Sequence, residues 1–157
     1  MKKISILLAF VVLGLSASAF AHCEIPCGIY TDKMRFDMWL EQITTVEKSM
    51  KQIDELSKAG DKNYNQIVRW VTNKEKHAEQ LSDIVTYYFM TQRLKPADAK
   101  DAAKYDAYLG KLKLLHKLLV YTMKAKQSTD LTVIEKLRKV LQKFEAAYFK
   151  GHAKHKH

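Results

Sequence analysis

The sequence predicts an all-α protein, an antiparallel four-helix bundle carried behind a short N-terminal segment that holds both cysteines of the chain. Two observations carry that expectation. Four stretches place apolar residues at alternating spacings of three and four, the period of one helix face. The breaks between them are short and built from Gly, Pro, Ser and Asp, which favours antiparallel neighbours. No internal repeat, glycine-rich phosphate loop or nucleophile elbow is visible.

The chain opens with a secretory signal pattern. Lys2 and Lys3 form a basic region, Ile4 to Leu15 an apolar one, and Ala19-Phe20-Ala21 the small-x-small signature of signal peptidase. Cleavage is expected between Ala21 and His22, which sends the protein to an envelope compartment, the periplasm. A membrane anchor is the alternative, but the apolar stretch is short for a span and ends in Ser16-Ala17-Ser18-Ala19 rather than in charges. No stable membrane insertion is therefore expected after cleavage. A lipoprotein would need cleavage before Cys23, and Ala21-His22 is a poor approach to a lipidated cysteine.

Removing residues 1–21 leaves 136 of 157 residues, enough for one domain with a real core. Lys2 and Lys3 leave with the peptide, so the formal charge falls from +10 to +8. Export, and lysines scattered rather than gathered with aromatics, argue against a nucleic-acid partner. The excess charge reads better as a field that draws small anions.

The bundle is expected over residues 31–150. Phe36, Trp39, Ile43, Val46, Met50 and Ile53 form the stripe of a first long helix, which Gly60 and Asp61 end, the aspartate capping the next segment. A second helix turns Ile67, Val71, Ala78, Leu81, Val85 and Tyr88 inward and stops near Lys95-Pro96, where proline disfavours helix in the residue before it. The third stripe is Tyr105, Leu109, Leu112, Leu115, Leu119 and Thr122; the fourth is Ile134, Leu137, Leu141, Phe144 and Tyr148. Gln127-Ser128-Thr129-Asp130 between them supplies turn and N-cap chemistry. The tail over residues 151–157 is rich in histidine, lacks apolar periodicity and reads as a disordered basic extension with some capacity for divalent metal.

The chemistry is concentrated in residues 22–30, His22-Cys23-Glu24-Ile25-Pro26-Cys27-Gly28-Ile29-Tyr30. In an exported protein a Cys23–Cys27 disulfide is the default, though it would close only a tiny loop. A structural zinc site falls one ligand short. Spacing alone leaves a disulfide and a metal site both open. The donor set at a new N-terminus favours metal: the His22 amine and Cys23 amide nitrogen close one five-membered ring, and the Cys23 amide and its own sulfur close another. Pro26 limits the backbone so that Cys27 can fold back as a fourth donor, and Gly28 permits a conformation that other residues resist. Nitrogen and sulfur donors in a square plane suit Ni(II) or Cu(II), with the His22 imidazole left as an axial ligand.

These residues resemble the nickel-binding hook of nickel superoxide dismutases, whose mature chains begin His-Cys-x-x-Pro-Cys-Gly-x-Tyr; His22, Cys23, Pro26, Cys27, Gly28 and Tyr30 match it in full. Arg69-Trp70-Val71, Lys74-Glu75 and His77-Ala78 are similar to the family's second helix, and the resemblance extends to about Phe149. It implies a nickel cofactor, superoxide as substrate, and its disproportionation to oxygen and hydrogen peroxide through Ni(II) and Ni(III). It implies that His22, Cys23 and Cys27 bind the metal and that Tyr30 lines the approach and orders water there. Tyr30 also suits plain packing at the start of a helix.

The resemblance implies further that a carboxylate and an arginine orient the axial imidazole. Asp37 takes the first place only with a one-residue gap, and His77 stands where the arginine is expected. Glu24 replaces the aspartate of better-known members. A homohexamer is implied too, for which Tyr87, Tyr88 and Tyr121 are candidate contacts. Two other readings stay open: a nickel carrier without catalysis, and a helical binding protein with a Cys23–Cys27 disulfide.

Overall fold

The computed structural model describes residues 31–152. Helix α1 runs over Asp32–Ser57, α2 over Tyr64–Asp83, α3 over Ala102–Gln127 and α4 over Leu131–His152. A 3-10 turn, Gly60–Asn63, joins α1 to α2, and a π-helical segment, Ile84–Arg93, prolongs α2. Helix α1 packs on α2 and α4, and α3 packs on α2 and α4, so the four close an antiparallel bundle. The start of α1 lies beside the end of the π segment and the end of α4, through Asp32, Arg93 and Tyr148. Among the described residues no helix is long and apolar enough to cross a membrane.

Each helix end has a local cause. The Thr31 hydroxyl accepts from the Met34 amide at 3.3 Å and starts α1. Gly60, at φ +63°, takes the left-handed turn that ends it. Asp61 lies inside the 3-10 turn and α2 starts only at Tyr64, after Asn63, so the aspartate is not the cap that the sequence suggested. Asp101 caps α3 through the Lys104 amide, and Asp130 accepts from the Thr132 amide at 2.9 Å to start α4. Helix α4 continues through Gly151 and His152, two residues past the expected boundary; the rest of the histidine-rich tail lies outside the described residues.

The apolar stripes fill the core, with shifts that geometry explains. Phe36, Trp39, Ile43, Val46 and Met50 of α1 are buried, as is the whole predicted stripe of α4. In α3 the buried face is Leu115, Leu118, Thr122 and Ala125, turned from the predicted Leu119 line. Val71 is exposed, because the first turns of α2 project beyond the core.

The π segment is the main departure from the sequence reading, which expected one continuous α-helix. Its wide turns bond residues five apart: the Leu94 amide donates to the Phe89 carbonyl at 2.8 Å, and the Thr91 hydroxyl reaches the Thr86 carbonyl at 2.7 Å. Ile84, Val85, Tyr88 and Phe89 of this segment are all buried. Phe89 stacks on Trp39 with ring centroids 5.0 Å apart and planes inclined by 6°, and Phe36, Phe144 and Tyr148 surround the pair. At the α-to-π junction the Trp39 indole donates to the Leu81 carbonyl at 3.1 Å.

Candidate metal centre

The hook residues His22, Cys23, Glu24, Cys27 and Tyr30 lie outside the described residues. The described residues begin at Thr31, directly after them in sequence, and include the end of the bundle where α1 starts. Among the described residues no group of three or more His, Cys, Asp or Glu side chains is arranged to hold a metal ion. In sequence, residues 22–30 carry two cysteines and a histidine, soft sulfur with nitrogen, donor types that suit nickel.

That end of the bundle is organised around Asp32, the first residue of α1. The Tyr88 hydroxyl and Arg93 Nε both donate to its Oδ1, the latter at 2.7 Å, and the Tyr148 hydroxyl donates to Oδ2 at 2.8 Å. Arg93 Nη2 also donates to the Tyr88 oxygen at 2.9 Å. These contacts depend on the π register, since five-residue bonding brings Arg93 over the Tyr88 ring, 4.7 Å from its centroid. The Arg35 guanidinium lies 4.8 Å from the same ring.

The electrostatics follow from these bonds. Burial pushes the Asp32 carboxyl up, but hydrogen bonds from Tyr88, Arg93 and Tyr148 outweigh it and hold its pKa below the usual aspartate value. Burial and the neighbouring Asp32 charge raise both phenols, Tyr88 and Tyr148. Burial opposes the Arg93 charge, yet Asp32 and Tyr88 hold it firmly protonated. At neutral pH the cluster is thus an aspartate–arginine pair with two neutral tyrosines.

The residues expected to orient the axial imidazole, Asp37 and His77, sit on different helices and each has its own partner. Asp37 is exposed on α1 and pairs with Lys33 at 2.5 Å. His77 is half-buried on α2 with Nδ1 against the Gln42 side-chain oxygen. Tyr88 faces inward, as expected of the second stripe, and is not one of the exposed contact residues: its ring is buried and its hydroxyl is committed to Asp32. Tyr87 is exposed and Tyr121 half-buried. Sequence reasoning missed Asp32, Arg93 and Tyr148 as partners; the one available signal was that Asp32 follows the hook by two residues.

The opposite end carries a second charged residue, one that the sequence reading named only within the resemblance of the second helix and gave no role. Lys74 of α2 is only 5% exposed, and its ammonium donates to the carbonyls of Ala125 at 3.0 Å and Ser128 at 3.2 Å, and to that of Lys126. It closes the C-terminus of α3, where unpaired carbonyls attract a cation.

The sequence model of the family described as nickel-containing superoxide dismutase matches residues 17–152. That span takes in the whole hook and all four helices. No curated protein and no solved structure matches the chain. The match covers most of the sequence and unites the cysteine-bearing segment with the bundle behind it, so the chain belongs to the nickel-containing superoxide dismutases, enzymes that disproportionate superoxide with a nickel cofactor.

Proposed function

We propose that the dismutase chemistry of this chain resides in a hook spanning residues 22–30, with His22, Cys23 and Cys27 as the nickel ligands. The observation that carries it is the donor set His22-Cys23-x-x-Pro26-Cys27-Gly28-x-Tyr30 directly behind a signal-peptidase pattern. The reaction is 2 O2•− + 2 H+ → O2 + H2O2. When bound, nickel supplies the one-electron exchange by cycling between Ni(II) and Ni(III).

The protein's own residues do the rest. Two thiolates and an amide nitrogen put negative charge on the donor set, which favours the higher oxidation state. The His22 amine becomes a donor only when the bond to Ala21 is cut, so export and activation are one event. Pro26 and Gly28 shape the backbone of the hook, and Tyr30 orders water at the approach. Domain limits follow: a signal peptide over residues 1–21, the hook over 22–30, the bundle over 31–150 and the tail over 151–157. The mature enzyme works in the periplasm as a homohexamer.

For Glu24, Asp37 and His77 the proposal is a role around the metal rather than on it. Asp37 and His77 each hold a partner already, Lys33 and Gln42, which they would release to reach the His22 imidazole. The positive charge of the mature chain draws the anionic substrate.

The test is expression with export, followed by metal analysis and a superoxide-removal assay on the wild type, Cys23→Ser and Cys27→Ser. The expected result is stoichiometric nickel and activity in the wild type, and loss of activity in both variants with helical content kept, because neither cysteine lies on a bundle stripe. Nickel without activity would identify a carrier. A metal-free chain with both thiols oxidised would identify a structural disulfide.

A further inference from the structure

The cluster at Asp32 does more than the local fold requires. Thr31 already caps α1, so the Asp32 carboxylate is not needed to start the helix. Phe36, Trp39 and Ile43 already hold the first turns of α1 in the core. The carboxylate nevertheless collects three donors from residues 56, 61 and 116 positions away, on the π segment and on α4. Apolar packing has no direction, whereas hydrogen bonds of fixed length from three sides locate one atom group against the bundle. A half-buried ionic network contributes little net stability, and its effect lies in specifying one arrangement.

We propose that Asp32 is a positioning residue for the hook: held by Arg93, Tyr88 and Tyr148, it fixes the point and direction from which the metal-binding arm leaves the bundle. The inference rests on the nickel reading of residues 22–30. Nine residues can reach about 30 Å when extended, so an arm without a fixed root would carry its ligands through a large volume. An arm leaving from a pinned residue starts in a defined direction, and preorganisation of this kind separates a productive site from one that is present but loose. The π register belongs to the same device, because it brings Arg93 over Tyr88 and within reach of Asp32. The chain thereby invests an irregular helix, two buried phenols and an ion pair in the residue two places after Tyr30.

The test uses the mature protein, with and without nickel, as wild type, Tyr148→Phe, Asp32→Asn and Asp32→Glu. Tyr148→Phe removes one donor to Asp32 from the far end of the chain and keeps both the Asp32 side chain and the Thr31 cap of α1. Two readouts are followed beside kcat and KM: amide exchange of residues 29–33 and the line shape of the nickel EPR spectrum. Asp32→Asn is expected to speed exchange of residues 29–33 about tenfold, broaden the EPR spectrum and lower kcat about tenfold, with exchange in the rest of the bundle unchanged. Tyr148→Phe should shift each readout the same way by a smaller factor, and Asp32→Glu should recover part of the loss.

Wild-type exchange and EPR retained in both Asp32→Asn and Tyr148→Phe would overturn the anchoring role, as would changes spread evenly over the whole bundle. A wild type that binds no nickel or lacks activity would overturn the nickel reading instead. Exchange at residues 29–33 would then still decide the anchor by itself.

Discussion

The two ends of the bundle each hold a charge out of full contact with water, and they solve the problem in opposite ways. At the hook end the Asp32 carboxylate is met by three side chains from two distant elements. At the far end the Lys74 ammonium is met by three backbone carbonyls of one helix terminus and the turn after it. Backbone carbonyls at a helix end exist whatever the sequence, so Lys74 completes a fold. Side chains must be chosen one by one, so the Asp32 cluster specifies a place. Both sets of contacts join distant parts of the chain, and the difference teaches where in this scaffold to look for function: at the end where the buried charge is met by side chains rather than by helix-end carbonyls.

The largest effect should come from removing the packing beneath the hook end. Phe36 is fully buried among Trp39, Phe89, Phe144 and Tyr148. Phe36→Ala is expected to cost about 3–5 kcal/mol by urea unfolding and to lower activity with it. A loss below about 1 kcal/mol would show that the aromatic cluster is not the keystone of this end.

Lys74→Met should separate stability from activity. The three carbonyls would lose a charged donor, for an expected loss of about 2 kcal/mol in thermal or urea unfolding, while kcat stays at the wild-type level. A large fall in kcat in the folded variant would break the contrast between the ends.

Acid should reach the hook end through Asp32. Its folded pKa lies below the unfolded value, so its contribution to stability is fully present above the usual aspartate range near pH ~4 and is lost as pH falls through the lower folded value. The stability gap between the metal-free wild type and Asp32→Asn should therefore be flat from neutral pH to about pH 5 and close below about pH 4. A gap that instead widened on acidification would reverse the assigned sign.

The smallest effect concerns the distributed charge. With a formal charge of +10, or +8 after the proposed removal of Lys2 and Lys3, and an anionic substrate, kcat/KM should fall a few-fold between low and physiological ionic strength, where the Debye length is about 8 Å. Rates unchanged by salt would mean that the field aids solubility alone.

Most of the fold could be read from periodicity because Phe36, Trp39, Ile43, Val46 and Met50, and the whole α4 stripe, obey a plain 3.6-residue period. The π segment escaped, since its signal is a change of period over ten residues, too short to stand out from an α-helix. Arg93 and Tyr88 meet only because of that change, so their pairing with Asp32 was invisible as well. Lys74 escaped for a different reason: its partners are backbone carbonyls, which leave no mark in a sequence. The family resemblance was legible because the residues that carry it fall within one nine-residue run, and the contacts of Asp32 were not because they are spread over more than a hundred positions.

The central claim is that activity depends on a ligand set completed by the cut before His22. The most direct measurement compares two chains that differ by one residue, one starting at His22 and one retaining Ala21, each confirmed by intact mass and loaded with nickel. Both should be equally helical, since the four apolar stripes lie downstream. The chain starting at His22 should remove superoxide and the extended one should be nearly inactive until trimmed, because the His22 nitrogen is then an amide. Full activity in the extended chain would contradict the account and point to a site built from side chains alone.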